Sequence, residues 1–333
     1  MKPELSSFDI AFAAAELNQL LKGFWISNIY QLNPRTLLLK LRGPEGAERN
    51  LILEGGRRVH TTSYAFEKPL KPPAFCMALR KYLRNGRIGE VQQYRFERIV
   101  EILVATKGGD HRVIVELFSK GNIILVCPDN KVLHALSYRR MKDRNILRGE
   151  AFVYPPSRSE DPRALQREDL RNLRSFGQVE VVRAVARFLG IGGTYAEEIL
   201  SRAGVARNSP CASLADVDLD TIFDGLQELL SMLSAGNAKP GIYIDEDGNW
   251  VNVAPIELKQ YAHLKHSSFQ TFNEALDEYY AKMLASGKVL DVERLVEKEA
   301  GRLERILRDQ ERTVRESKRE AEVSRRIGDL IYR

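Results

Sequence analysis

Charged groups set close together are the residues in this chain able to do chemistry. Glu97 and Arg98 stand side by side where the apolar run Ile99-Val100 begins, within a stretch, 92–104, that reads as strand. Adjacent strand residues face opposite sides of a sheet, so the two are not an ion pair lying on one face, and one of them is aimed at something. A pair solvated at a sheet edge is the bland alternative. Asp9 falls in the first turn of a predicted helix, where the dipole alone favours a carboxylate by a few tenths to about 1 kcal/mol. Arg80, Lys81 and Arg84 share the polar face of a helix expected over 74–85. Arg139 and Arg140 open a basic stretch completed by Lys142, Arg144 and Arg148. Such clusters are either solvated faces or phosphate-facing stripes. Gly190, Gly192 and Gly193 form a Gly-apolar-Gly turn followed by Thr194-Tyr195-Ala196, a helix-hairpin-helix pattern whose exposed amides at a helix start suit a phosphate. Glu197-Glu198 just beyond would oppose one, which favours a purely structural joint.

The composition narrows the partner. With 333 residues, 44% hydrophobic and 29% charged, the chain has room for two or three domains. A net charge of +6 and a pI near 9.1 suggest a polyanionic partner, provided the charge is clustered. Cys76, Cys127 and Cys211 are odd in number and far apart, which points to reduced thiols in a cytoplasmic protein, with no disulfide frame, metal or cofactor expected. No apolar run approaches the length of a membrane span, and the N-terminus lacks an export signal.

Around these residues the pattern predicts an α+β fold. A helix capped by Ser6 or Ser7, with the stripe Ile10, Ala13, Ala14, Leu17, Leu20 and Leu21, ends at Gly23. Strands follow over 24–32, 36–42, 48–53 and 58–62, then the basic helix. A second set spans 91–96, 99–105, 112–118, 122–127 and 132–136. Two small sheets packed together with helices at the side are expected, forming a domain over 1–150. A Pro-rich linker over 154–162 leads to a helical domain over 163–270, which includes a hairpin of strands 242–244 and 250–253. Residues 271–333 begin a helix and, from about 289, a charged coiled-coil arm of roughly 60 Å. That arm needs a partner helix, from a second copy in a homodimer or from a longer chain.

Two resemblances bear on function. Met1-Lys2-Pro3-Glu4-Leu5 is similar to the start of the formamidopyrimidine-type DNA glycosylases, whose N-terminal proline is the nucleophile. Lys2 stands before Pro3 here, so no secondary amine is available, and a DNA-repair enzyme is the lesser alternative. Asp9, the helix Pro72-Pro73-Ala74-Phe75-Cys76-Met77-Ala78-Leu79-Arg80-Lys81-Tyr82-Leu83, the run Phe96-Glu97-Arg98-Ile99-Val100 and Gly192-Gly193-Thr194-Tyr195-Ala196-Glu197-Glu198 together resemble the NFACT family over essentially the whole chain.

That resemblance implies a glycosylase-N-domain-like front domain, a helix-hairpin-helix domain and the first arm of a coiled coil. It implies a ribosome quality-control factor, not an enzyme, which binds the large ribosomal subunit carrying a stalled peptidyl-tRNA. Such a factor recruits charged tRNA, alanyl-tRNA in prokaryotic members, for mRNA-independent tailing of the nascent chain. Asp9 and an Asp-Arg pair, here Glu97-Arg98, would contact tRNA; glutamate reaches one methylene further than aspartate. The family's C-terminal RNA-binding domain and second arm are not in this sequence, which puts full tailing activity in doubt. A surface adhesin, the third reading, would need an export signal. Replacing Arg98 is expected to weaken tRNA binding and leave the melting temperature nearly unchanged.

Overall fold

The computed structural model describes residues 2, 4–157, 159–234 and 238–286; Pro3 and the arm expected from 289 lie outside the described residues. Helix α1 (Ser7–Leu21) starts from a capping box in which the Ser6 side chain accepts from the Asp9 amide and the Asp9 carboxylate accepts from the Ser6 amide. It buries Phe8, Ile10, Phe12, Ala13, Ala14, Leu17 and Leu21, while Leu20 of the expected stripe faces out. Gly23, at φ +91°, ends it.

Strands β1 (Trp25–Asn33), β2 (Thr36–Arg42), β3 (Glu48–Glu54) and β4 (Arg58–Thr62) form an antiparallel meander. Helix α2 (Ala74–Leu83) then crosses to β5 (Arg87–Gln93), β6 (Ile99–Thr106), β7 (Gly109–Glu116), β8 (Asn122–Val126) and β9 (Val132–Ala135). A small ribbon, β10 (Arg139–Arg140) with β11 (Asn145–Ile146), follows. Instead of two separate sheets there is one nine-stranded sheet in the order β4-β3-β2-β1-β5-β6-β7-β8-β9. The expected gap is closed where Trp25 of β1 pairs with Arg87 of β5, because the α2 crossover returns the chain to the free edge of β1.

The turn between β3 and β4 also meets the turn between β7 and β8. The Gly56 amide donates to the Glu116 carbonyl at 2.9 Å. A Cβ on Gly121, which sits at φ +64°, would lie 1.8 Å from the Gly56 nitrogen, so the two hairpin tips nest backbone against backbone. Helix α1 packs on β4, β5 and β6 at the inside of this curl.

Past the linker come a 3-10 segment (Arg167–Phe176) and α3 (Val181–Leu189), α4 (Gly193–Ala203) and α5 (Asp216–Ser234). The expected two-stranded hairpin gains a third strand: β12 (Gly241–Ile244), β13 (Trp250–Ala254) and β14 (Lys265–Ser268) pair in the order β13-β12-β14. A helix begins at 272, where the Glu16 carboxylate of α1 accepts from the Phe272 and Asn273 amides at 2.8 and 2.9 Å. The chain through Tyr279 forms one compact unit.

Candidate nucleic-acid interface

Asp9 is the most heavily contacted of the expected site residues. Its Oδ2 accepts from the Ser6 amide at 2.8 Å and the Ser6 hydroxyl at 2.6 Å, and meets the Lys2 ammonium at 2.6 Å. Its Oδ1 accepts from the Tyr195 hydroxyl at 2.7 Å. Burial, reinforced by the Asp9 charge, pushes the Tyr195 phenol well above its ordinary pKa, so it keeps its proton and donates. Phe8 stacks on Tyr195 with ring centres 4.5 Å apart and meets Phe96 at 5.9 Å. Asp9 is fully buried, which corrects its expected role as a direct RNA contact. A carboxylate with its acceptor sites filled and no solvent-facing atom joins the first helix to α4 instead.

Glu97 and Arg98 do not lie in a strand. β5 ends at Gln93 and β6 begins at Ile99, and residues 94–98 form the hairpin turn between them, with Arg95 at φ +50°. The Gln93 side-chain amide holds this turn to α1 by donating to the carbonyls of Ser7 and Glu97 at 2.8 and 2.9 Å. Glu97 is half-buried and accepts from the Ser157 hydroxyl at 2.5 Å. It borders two hollows of about 320 and 350 Å³, the first lined by Arg95, Ser159 and Asp161 and the second by Phe118, Met141 and Arg144. Arg98 turns the other way. Its guanidinium meets both Glu4 carboxylate oxygens, at 3.1 and 2.9 Å, and donates to the Leu117 carbonyl. Its side chain remains 25% exposed, and its Nε is enclosed without a hydrogen-bond partner among the described residues.

Arg98 opens onto a cleft of about 850 Å³ that also holds Lys2, Glu4, Arg187 and the Gly190–Thr194 turn. Gly190 ends α3 at φ +65° and Gly192 precedes α4 at φ +79°, conformations a glycine adopts freely. The Gly190 carbonyl accepts from the Ser7 hydroxyl at 2.7 Å, fixing the turn on α1. The first residues of α4 line this cleft beside Arg98 and Arg187, and the first amides of a helix have no carbonyl one turn earlier to accept them, an arrangement that suits an anion. The acidic pair beyond the turn is neutralised locally. Glu198 is fully buried against Arg202 at 2.7 Å, and Glu197 pairs with Arg207 at 3.3 Å.

The remaining basic residues lie outside the lining of this cleft. Arg80 donates from Nε to the Ile29 carbonyl at 2.6 Å and lies over the Tyr30 ring. Lys81 and Arg84 are exposed and form no ion pair among the described residues. Arg139 is tied to the Gly121 carbonyl at 2.9 Å and the Ser137 hydroxyl at 3.2 Å, whereas Arg140 is exposed. The sequence reading missed Lys2, Glu4, Tyr195 and Arg187 as site residues. Tyr195 lies inside the Gly192–Glu198 segment singled out from sequence, but nothing local there marks Asp9 as its partner. Among the described residues no cluster of histidine, cysteine and carboxylate side chains could hold a metal ion, and no helix is long and apolar enough to cross a membrane.

Comparison with known proteins bears on this geometry. The chain is 35% identical over 345 residues to the archaeal Rqc2 homolog aRqcH of Methanocaldococcus jannaschii, covering all of this chain and 50% of that protein. It is 25% identical over 354 residues to the ribosome quality control complex subunit NEMF of Mus musculus, covering 99% of this chain and 33% of that one. The chain thus spans half or less of the length of these relatives. The N-terminal part of the fibronectin/fibrinogen-binding protein of Streptococcus suis superposes with a TM-score of 0.64 at 24% identity, over 83% of this chain and 99% of that structure, which establishes the shared fold. Residues 6–333 match the family described as NFACT N-terminal and middle domains, and the chain belongs to the NFACT family.

Proposed function

We propose that this chain is the tRNA-engaging part of a ribosome quality control factor. In this reading it binds the large ribosomal subunit with its stalled peptidyl-tRNA and recruits charged tRNA, alanyl-tRNA among the candidates, for mRNA-independent tailing. Peptide-bond formation is left to the ribosome. One arrangement supports the reading: Arg98, partly exposed, faces the Gly190–Gly193 turn across a cleft shared with Lys2 and Arg187. Cations beside a helix start on one hollow suit a folded polyanion, and Glu97, on the separate hollows across the turn, can accept from base edges or 2′-hydroxyls. Pairing of the 271–333 arm with a second copy, and a cytoplasmic location, belong to the same proposal. The DNA-repair alternative loses ground because Lys2 precedes Pro3, whose nitrogen is then in a peptide bond and cannot act as a secondary amine nucleophile.

Crosslinking the full-length protein in cells and sequencing the bound RNA tests the proposal. Enrichment of tRNA together with large-subunit rRNA is expected, reduced by Arg98→Ala. An RNA profile without tRNA enrichment overturns it.

A further inference from the structure

We propose that the outer face of β1 and β2, beside α2, is a stacking surface for unpaired RNA nucleotides, with Trp25 as its platform. The proposal rests on the RNA-binding reading above and adds a second contact to it, remote from the Arg98 cleft.

Paired residues of antiparallel strands share a face, so Arg42 of β2, Trp25 of β1 and Arg87 of β5 stand in one row across the sheet. All three are exposed, Trp25 by 43% although its neighbours Phe24 and Ile26 are buried. The Arg87 guanidinium lies 5.5 Å from the centre of the indole. A register shift between Ile26 and Asn28 keeps Asn28 and Tyr30 on the same outer face further along β1. Tyr30 is itself flanked by cations, with Lys68 at 4.8 Å and Arg80 at 5.2 Å from its ring. The two rings are therefore roughly 15 Å apart along the strand. Arg84, just past α2, is exposed near this end of the sheet, because the Asn85 amide beside it donates to the Ile26 carbonyl. The carboxylate in the same row, Glu48, is held by Lys40 at 3.1 Å.

A lone exposed tryptophan needs no explanation. Two partly exposed rings on one face, each flanked by cations, are a different matter, since bases stack on aromatic faces while the adjoining cations neutralise phosphates. Polyglutamate would find the charges but has no ring system to lay on Trp25.

The chain has two tryptophans, Trp25 and Trp250. Trp250→Phe in the full chain leaves Trp25 as the sole indole reporter. Titration with a single-stranded RNA dodecamer, and separately with total tRNA, is expected to quench its emission. Trp25→Ala is expected to weaken binding about 5- to 150-fold, and Trp25→Phe distinctly less. Arg42→Gln should lower the salt slope of binding by about 1. Thermal melts check that each variant is folded. If RNA binds with unchanged Trp25 emission and Trp25→Ala binds as tightly as the parent, the stacking surface is overturned while the Arg98 cleft stands. Equal quenching by polyglutamate also overturns it, marking the face as a site for acidic polypeptides. Failure of the full chain to bind either RNA removes both the surface and the function it rests on.

Discussion

Asp9 and the Glu97–Arg98 turn sit on either side of the same helix start and treat charge in opposite ways. Asp9 is sealed, with its oxygens shared among Lys2, Ser6 and Tyr195. Glu97 and Arg98 keep part of their surface in solvent and open onto separate hollows. An enclosed carboxylate holds elements together and has no acceptor capacity to spare, while a half-open guanidinium can exchange a protein partner for a ligand. The difference separates the residues that build the interface from those that could touch RNA.

The comparison breaks most sharply at Asp9. Asp9→Ala strands the Lys2 ammonium and the Tyr195 hydroxyl and removes the carboxylate half of the α1 capping box, a combined loss expected at about 3–5 kcal/mol in urea unfolding. If stability is retained and only RNA binding falls, the carboxylate belongs with the turn after all.

A second interior group tests whether the inside as a whole is built on fixed protonation states. Burial, aided by the Arg58 charge, lowers the His60 pKa from 6.5 to about 3. The unfolded chain therefore binds a proton that the native state refuses between these values. His60 stabilises the fold fully above pH 6.5, and that contribution is lost as the pH falls through the window toward 3. Unfolding free energies measured from pH 7 to pH 4 should decline more steeply for the parent than for His60→Gln. Parallel curves would mean that His60 titrates normally.

On the open side, Arg98→Ala should weaken tRNA binding by about 1–3 kcal/mol. Its Glu4 partner is 44% exposed, so the stability loss should stay within about 1 kcal/mol, a modest amendment to the unchanged melting temperature expected from sequence. Arg98→Lys keeps the charge but not the two-pronged grip on Glu4, and should fall between the two. A large stability loss with intact tRNA affinity would move Arg98 to the structural side. The smallest effect is expected from Lys81→Ala combined with Arg84→Ala, which should reduce the salt slope of RNA binding by about 2. An unaltered slope places α2 outside the interface.

Most strands were legible because alternating apolar residues end at glycine, proline and asparagine turns, and the start of α1 was legible to within one residue because Ser6 and Ser7 both suit a cap; the reciprocal Ser6–Asp9 box emerged only from the structure. The turn at 94–98 was obscured, since it has no glycine or proline and instead places Arg95 at positive φ. Continuity of the sheet rests on the Trp25–Arg87 pair, which forms only after α2 has brought β5 back. The Asp9–Tyr195 bond joins residues far apart in the chain, and local pattern has no reach over that distance. A carboxylate three residues into a helix reads the same from sequence whether solvent or a buried phenol lies opposite it.

The nested glycines at positions 56 and 121 also set an order of events during synthesis. Strands β1 to β4 leave the exit tunnel first, yet the tip they present has its counterpart in the turn between β7 and β8. The contact between the tips cannot form until Gly121 has emerged, so closure of the curl waits on the later hairpin. A methyl group at either tip would obstruct that closing contact rather than the pairing of the strands that carry it.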